Sequence, residues 1–111
     1  MAKNYMVVFA KAANGRVAEL ADWYDNQHIP DLLKVPGFVS AERSELKLFK
    51  TPEGAGPWDF MVTYEIEGEN PMAVIAESGR RMGTGEIVTS DALESVSTLA
   101  GIAASHGLRK A

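Results

Sequence analysis

The stretch Trp23-Tyr24-Asp25-Asn26-Gln27-His28-Ile29-Pro30-Asp31 places one of the chain's two histidines near a helix end, with a carboxylate three residues away on each side. Upstream of it, Val17, Leu20, Ala21, Tyr24 and His28 recur at helical spacing. At about 100° per residue they stay within roughly 60° of one direction. The stripe predicts a helix whose apolar face, with His28 on it, points at a sheet. Pro30 disfavours helical geometry at Ile29, so the helix is expected to end or kink near His28. Asp31-Leu32-Leu33-Lys34 adds another turn before Val35-Pro36-Gly37 stops it.

Outward from this helix the pattern changes period. Tyr5-Met6-Val7-Val8-Phe9-Ala10 is a short apolar run of strand formers and reads as a strand covered on both faces. Phe38 to Phe49 alternates, with Phe38, Ser40, Glu42, Ser44, Leu46 and Leu48 on one face. Trp58, Phe60, Val62, Tyr64 and Ile66 alternate after a Gly/Pro loop, completing a hairpin with a long connection. Asn70-Pro71 is an N-cap with proline at the first helical position. Met72, Ile75, Ala76, Gly79 and Met82 then form a second helical stripe, closed by Gly83-Thr84-Gly85. Ser95 to Ala104 reads as the last strand. The order β-α-β-β-α-β is the ferredoxin-like α+β pattern, a four-stranded antiparallel sheet with both helices on one face. The whole of residues 1–111 is expected to be one domain. Its second sheet face is apolar, which predicts a homodimer through sheet faces.

Composition narrows the functions. Fifteen acidic against eleven basic side chains give a net charge of −4, and no Lys/Arg cluster tracks phosphates, so nucleic acid is not an expected partner. The absence of cysteine excludes disulfides, thiolate nucleophiles and Cys-ligated metals. No apolar run approaches the roughly 18 residues of a membrane helix, and no signal-peptide pattern opens the chain. The expectations are no membrane partner and a cytoplasmic location. Gly79 to Gly85 lacks the ending of a phosphate loop and is a helix terminus. His28 and His106 do not make a zinc site, so no metal is expected.

Histidine exchanges protons near neutral pH, and a carboxylate beside it can fix its tautomer. Tyr24 lies one turn before His28 on the same stripe; Asp25 and Asp31 are both placed to hold the imidazole. Burial lowers a histidine pKa and a neighbouring carboxylate raises it, so spacing alone leaves the sign open. A histidine at a helix end can also serve only to cap carbonyls. Trp23 lies roughly 120° off the stripe, fit either to pack or to wall a pocket. Trp58 reads as a hairpin anchor. The face of Tyr64 is not assigned by strand phase.

The run Trp23 to Leu33, followed by Val35-Pro36-Gly37-Phe38, resembles the EthD-like family of dimeric α+β barrel proteins. In that family a W-Y-[DN]-x-x-H-[IV]-P-[DE] helix end leads through a proline-glycine turn into the second strand. The likeness is specific over about residues 20–43. It implies two ferredoxin-like subunits, sheets face to face, with ligands held between helices and sheet. Cofactor-free monooxygenases, lactone isomerases, polyketide cyclases and haem-degrading enzymes belong to that superfamily. Carried onto matching positions, the resemblance makes His28 the leading functional residue. Tyr24 and Asp25 would be its catalytic companions, and Trp23 and Asp31 would contact substrate. The expected function is a cofactor-independent enzyme acting on a small aromatic or polyketide-like carbonyl compound. The alternatives are a non-catalytic carrier of a small hydrophobic molecule, or a structural dimer.

Overall fold

Alternation along the strands decides which sheet face is covered. In the computed structural model, which describes residues 3–111, Phe60, Val62, Tyr64 and Ile66 of one strand are buried while Met61, Thr63 and Glu65 are half-buried. That strand, Phe60–Ile66, pairs antiparallel with β1 (Asn4–Ala10), Val8 opposite Val62. Its other neighbour is β2 (Phe38–Glu45). A two-residue hairpin, β3 (Lys50–Thr51) and β4 (Gly54–Ala55), sits in the connecting loop, which makes Phe60–Ile66 β5. The last strand, β6 (Leu99–Ala104), joins the free side of β1 and is shorter than the expected Ser95 to Ala104. The sheet order is β2-β5-β1-β6, the ferredoxin-like arrangement that the sequence predicts.

The helices cover the face of Val8, Val62 and Tyr64. Leu20, Tyr24, Leu32 and Val35 are buried against those strands, and Val74 and Ile75 of the second helix pack on the same core. The opposite face presents Tyr5, Val7, Met61 and Thr63 half-buried and Leu99 exposed.

Three local readings are corrected. A bulge between Phe38 and Ser40 inserts Val39 as an unpaired residue, so Phe38 opposite Ile66 falls on the helix side with Ala41 and Arg43. Strict alternation had placed Phe38 with Ser40, Glu42 and Ser44. Trp58 leaves the Phe60 phase because β5 begins only at Phe60. Its ring lies 4.8 Å from Phe49 and 5.9 Å from Phe9, and its Nε1–H donates to the Ser97 carbonyl at 2.6 Å. In α3 (Pro71–Arg81) the Asn70 side chain caps Ala73 N–H as expected. The inward face, however, is Val74, Ile75 and Ser78, while Met72, Ala76 and Gly79 are exposed.

An end or a kink is expected near His28, and the first helix does not end there. It runs as α1 (Val17–Trp23), a π-helical turn (Tyr24–His28) and α2 (Ile29–Leu32), with right-handed helical dihedrals at each junction. In an α turn the Pro30 ring would meet the carbonyl four residues back. Here the Ile29 N–H reaches five residues back, to the Tyr24 carbonyl. The wider turn relieves the clash and lets the helix pass through the proline. The chain then reverses at Gly37, with φ of 106°. A side chain there would run into Val74 of α3, so glycine is required both by dihedral and by space.

Candidate active site

The π turn builds the site. Five residues advance about 500° around an α-helix, which would leave Trp23 and His28 about 140° apart. A turn closed by bonds to the fifth residue returns them to one side. Their rings are stacked, 4.3 Å between centroids and 20° between planes. Tyr24 meets both edge-on, at 4.8 Å from Trp23 and 5.4 Å from His28. The three aromatic rings form one wall of a cavity of about 650 Å³ between the helices, the sheet and the segment 89–98. Met6, Val8, Leu32 and Leu93 make much of the rest of its lining apolar, and Tyr64 rises from the sheet beneath it. The volume lies in the range of small-molecule sites.

His28 is 9% exposed and Tyr64 0%. Among the described residues, the His28 Nδ1 and the Tyr64 hydroxyl have no hydrogen-bond partner. Two orphaned buried polar atoms are costly, each forfeiting about 1–3 kcal/mol of hydration. Burial pushes the His28 pKa down to about 4, against the opposing pull of the Asp31 charge. The imidazole is therefore neutral at pH 7. Burial also raises the Tyr24 hydroxyl to about 12 and raises that of Tyr64.

The two aspartates divide. Asp31, expected to contact substrate, is buried outside the cavity lining and does not hydrogen-bond the imidazole. Its Oδ2 accepts from Gln27 Nε2 at 2.8 Å and from the Val88 N–H at 3.0 Å. Burial raises the Asp31 carboxyl, and those hydrogen bonds with the nearby Lys34 charge outweigh it, leaving it below the ordinary value. The Val88 carbonyl in turn accepts from Trp23 Nε1–H at 3.1 Å. One helix thus grips both ends of a single residue and holds the start of the cavity's far wall. Trp23, expected either to pack or to wall a pocket, does both.

Asp25 is not brought into the cavity. It forms a bidentate pair with Arg43 of β2, both contacts 2.8 Å, and that guanidinium holds its carboxyl below the usual range. The expectation that Asp25 assists His28 is corrected by this placement. The π turn carries Asp25 to the flank, where a strand arginine captures it. Tyr64 was missed as a site residue because strand alternation does not say which face meets the helices. The wall from Thr89 to Thr98 was missed because a Ser-rich segment without periodicity carries no sign of a cavity lining.

Among the described residues, no group of three or more histidines or carboxylates is placed to hold a metal ion. No helix there is long and apolar enough to cross a membrane.

No protein-family model matches this chain, and no curated protein does. Solved structures do. An ethyl tert-butyl ether D (EthD) family protein from Bacillus halodurans C-125 superposes with a TM-score of 0.56 at 13% identity, over 93% of this chain and 97% of that one. The chain has an EthD-type fold. A candidate monooxygenase from Shewanella loihica PV-4 superposes with a TM-score of 0.59 at 14% identity, over 99% of each chain. The fold likeness thus extends well beyond residues 20–43, over 93% and 99% of the chain in the two superpositions.

Proposed function

We propose that this chain is an EthD-like protein acting as a homodimer and as a cofactor-independent enzyme on a small aromatic or polyketide-like carbonyl compound. His28 is its proton-transfer residue. The observation that carries the reading is the pair of unpartnered polar atoms, His28 Nδ1 and Tyr64 OH, on residues lining one mostly apolar cavity. A neutral imidazole can accept a proton from an acidified carbon or phenol. The ion pair that results is strengthened where water is excluded. Tyr24 and Tyr64 supply hydroxyls to orient the substrate oxygen. Trp23 walls the ring-binding space, and Asp31 stabilises the charged imidazole through the field while fixing Val88. The fold likeness of this chain to a candidate monooxygenase makes oxidation by O₂ one of the reactions to test.

The carrier reading has one observation in its favour. Burial keeps His28 neutral down to about pH 4, which suits a fixed hydrogen bond and weakens the imidazole as a base. One experiment separates the two. A metabolite extract of the host is incubated with wild type and with His28→Gln, and consumed masses are compared by liquid chromatography–mass spectrometry. A compound consumed only by wild type is the expected result. Equal consumption removes His28 from the mechanism. A compound retained on the protein but not consumed supports the carrier.

A further inference from the structure

The charge distribution around the cavity carries a rule about what enters it. We propose that the cavity selects uncharged ligands bearing a hydroxyl or enol oxygen on an apolar ring body, and rejects carboxylates and phosphates. This rests on the cavity being the ligand site and adds its specificity.

No lysine or arginine is among the lining residues. The one charged lining residue is Asp91, whose side chain is 90% exposed at the rim and is bound by Arg16 at 2.9 Å. The other titratable lining residues are Tyr24, His28 and Tyr64, all held in their neutral forms by burial. An anion moving inside would lose its hydration and meet no cation among the lining residues, since Arg16 at the rim is already paired with Asp91. Desolvation of an unpaired charge costs far more than a neutral hydrogen bond returns.

The polar interior favours one kind of group instead. The Tyr64 hydroxyl and His28 Nδ1 are orphaned. Several other hydroxyls at the wall are already engaged. Ser78 Oγ–H donates to the Ile75 carbonyl at 2.7 Å, and Thr98 Oγ1–H donates to the Glu94 carbonyl at 2.7 Å. Ser90 Oγ accepts from the Ala92 N–H at 3.1 Å. A neutral oxygen that both donates and accepts is the complement of a tyrosine hydroxyl and an imidazole nitrogen. The surrounding aromatic and aliphatic walls take the ring body.

The test uses three probes at pH 7, 2-naphthol, naphthalene and 2-naphthoate, with affinities measured by calorimetry on wild type and Tyr64→Phe. On wild type, 2-naphthol should bind about tenfold more tightly than naphthalene. It should exceed 2-naphthoate by about 100-fold or more. Tyr64→Phe, which keeps the ring and its packing, should narrow the naphthol-to-naphthalene ratio and leave naphthalene unchanged. If 2-naphthoate binds as tightly as 2-naphthol, the charge rule is overturned while the cavity reading stands. A naphthol-to-naphthalene ratio near one in wild type, or one that Tyr64→Phe does not move, overturns the hydroxyl half of the proposal. Binding by none of the three overturns the cavity reading and the inference with it.

Discussion

At the scale of single residues, the site is a place where stability has been given up. His28 titrates at about 4 in the folded chain against an ordinary 6.5. The unfolded chain therefore binds the proton more readily, and stability falls as pH drops from 6.5 toward 4, levelling below that. The full difference is about 3 kcal/mol, a large share of a small domain's stability. Urea unfolding of wild type and His28→Gln from pH 7.5 to 4 checks this, because shared carboxylates cancel between the two. Wild type should lose about 3 kcal/mol more than the variant, and parallel curves would contradict the buried neutral imidazole. Tyr64 gives a prediction of opposite sign. Replacing a buried unpartnered hydroxyl by hydrogen removes a desolvation cost without changing ring packing. Tyr64→Phe should therefore raise the denaturation midpoint of the unliganded protein, by the equivalent of about 1 kcal/mol. A loss of stability would mean that the hydroxyl has a partner.

At the scale of the element, a proline inside a helix is converted into a wide turn, and the wide turn stacks two rings. Pro30→Ala supplies the missing N–H and removes the ring. The turn is expected to contract toward α spacing and swing Trp23 off His28. Near-UV circular dichroism reads the stack directly, since the tryptophan signal depends on its asymmetric packing. An unchanged near-UV spectrum would assign the π turn to the surrounding packing and not to Pro30. The same element contains two aspartates of different worth. Asp31→Ala leaves the part-buried Val88 N–H without its charged acceptor and should cost about 1–3 kcal/mol. Asp25→Ala breaks a largely exposed ion pair with Arg43 and should cost no more than about 1 kcal/mol. Thermal unfolding of the two variants side by side checks the contrast; equal losses would contradict the division of the site.

At the scale of the molecule, one sheet face is covered by α1, α2 and α3, and the other presents Tyr5, Val7, Met61 and Thr63. The uncovered face carries Tyr5, Val7 and Met61 beside Ser40, Glu42 and Glu65, and another copy of the chain is the proposed second layer. Met61→Glu would bury an unpaired carboxylate in such an interface. The expected outcome is a dimer for wild type and a monomer for the variant by light scattering. A monomeric wild type would refute the proposed assembly. The cavity lies on the opposite face from Met61, so its ligand affinity should survive the change.

Element order and type were legible in the sequence because they depend on local pattern: the apolar run of β1, alternation in β5, helical spacing from Val17 to His28, the Asn70-Pro71 start of α3. Those signals are local and survive without a partner. The inward direction of His28 was legible for the same reason. What depended on neighbours was not. The bulge at Val39 moved Phe38 across the sheet because its register is set by β5. The exposure of Met72 followed from how α3 leans on Val74 and Ile75. Asp25 went to Arg43, eighteen residues away, and Asp31 went to Val88, fifty-seven away, so equal spacing from His28 did not mean equal roles. Pro30 signalled a break near His28 but not its form, since a proline penalises the α turn and not every helical turn. The sequence by itself determined which residues repeat, and hence the sheet, the helices and the candidate histidine. Only the tertiary structure decided which faces met, and with them the cavity, the neutral imidazole and the orphaned hydroxyl of Tyr64, because desolvation and register are set by groups distant in the chain.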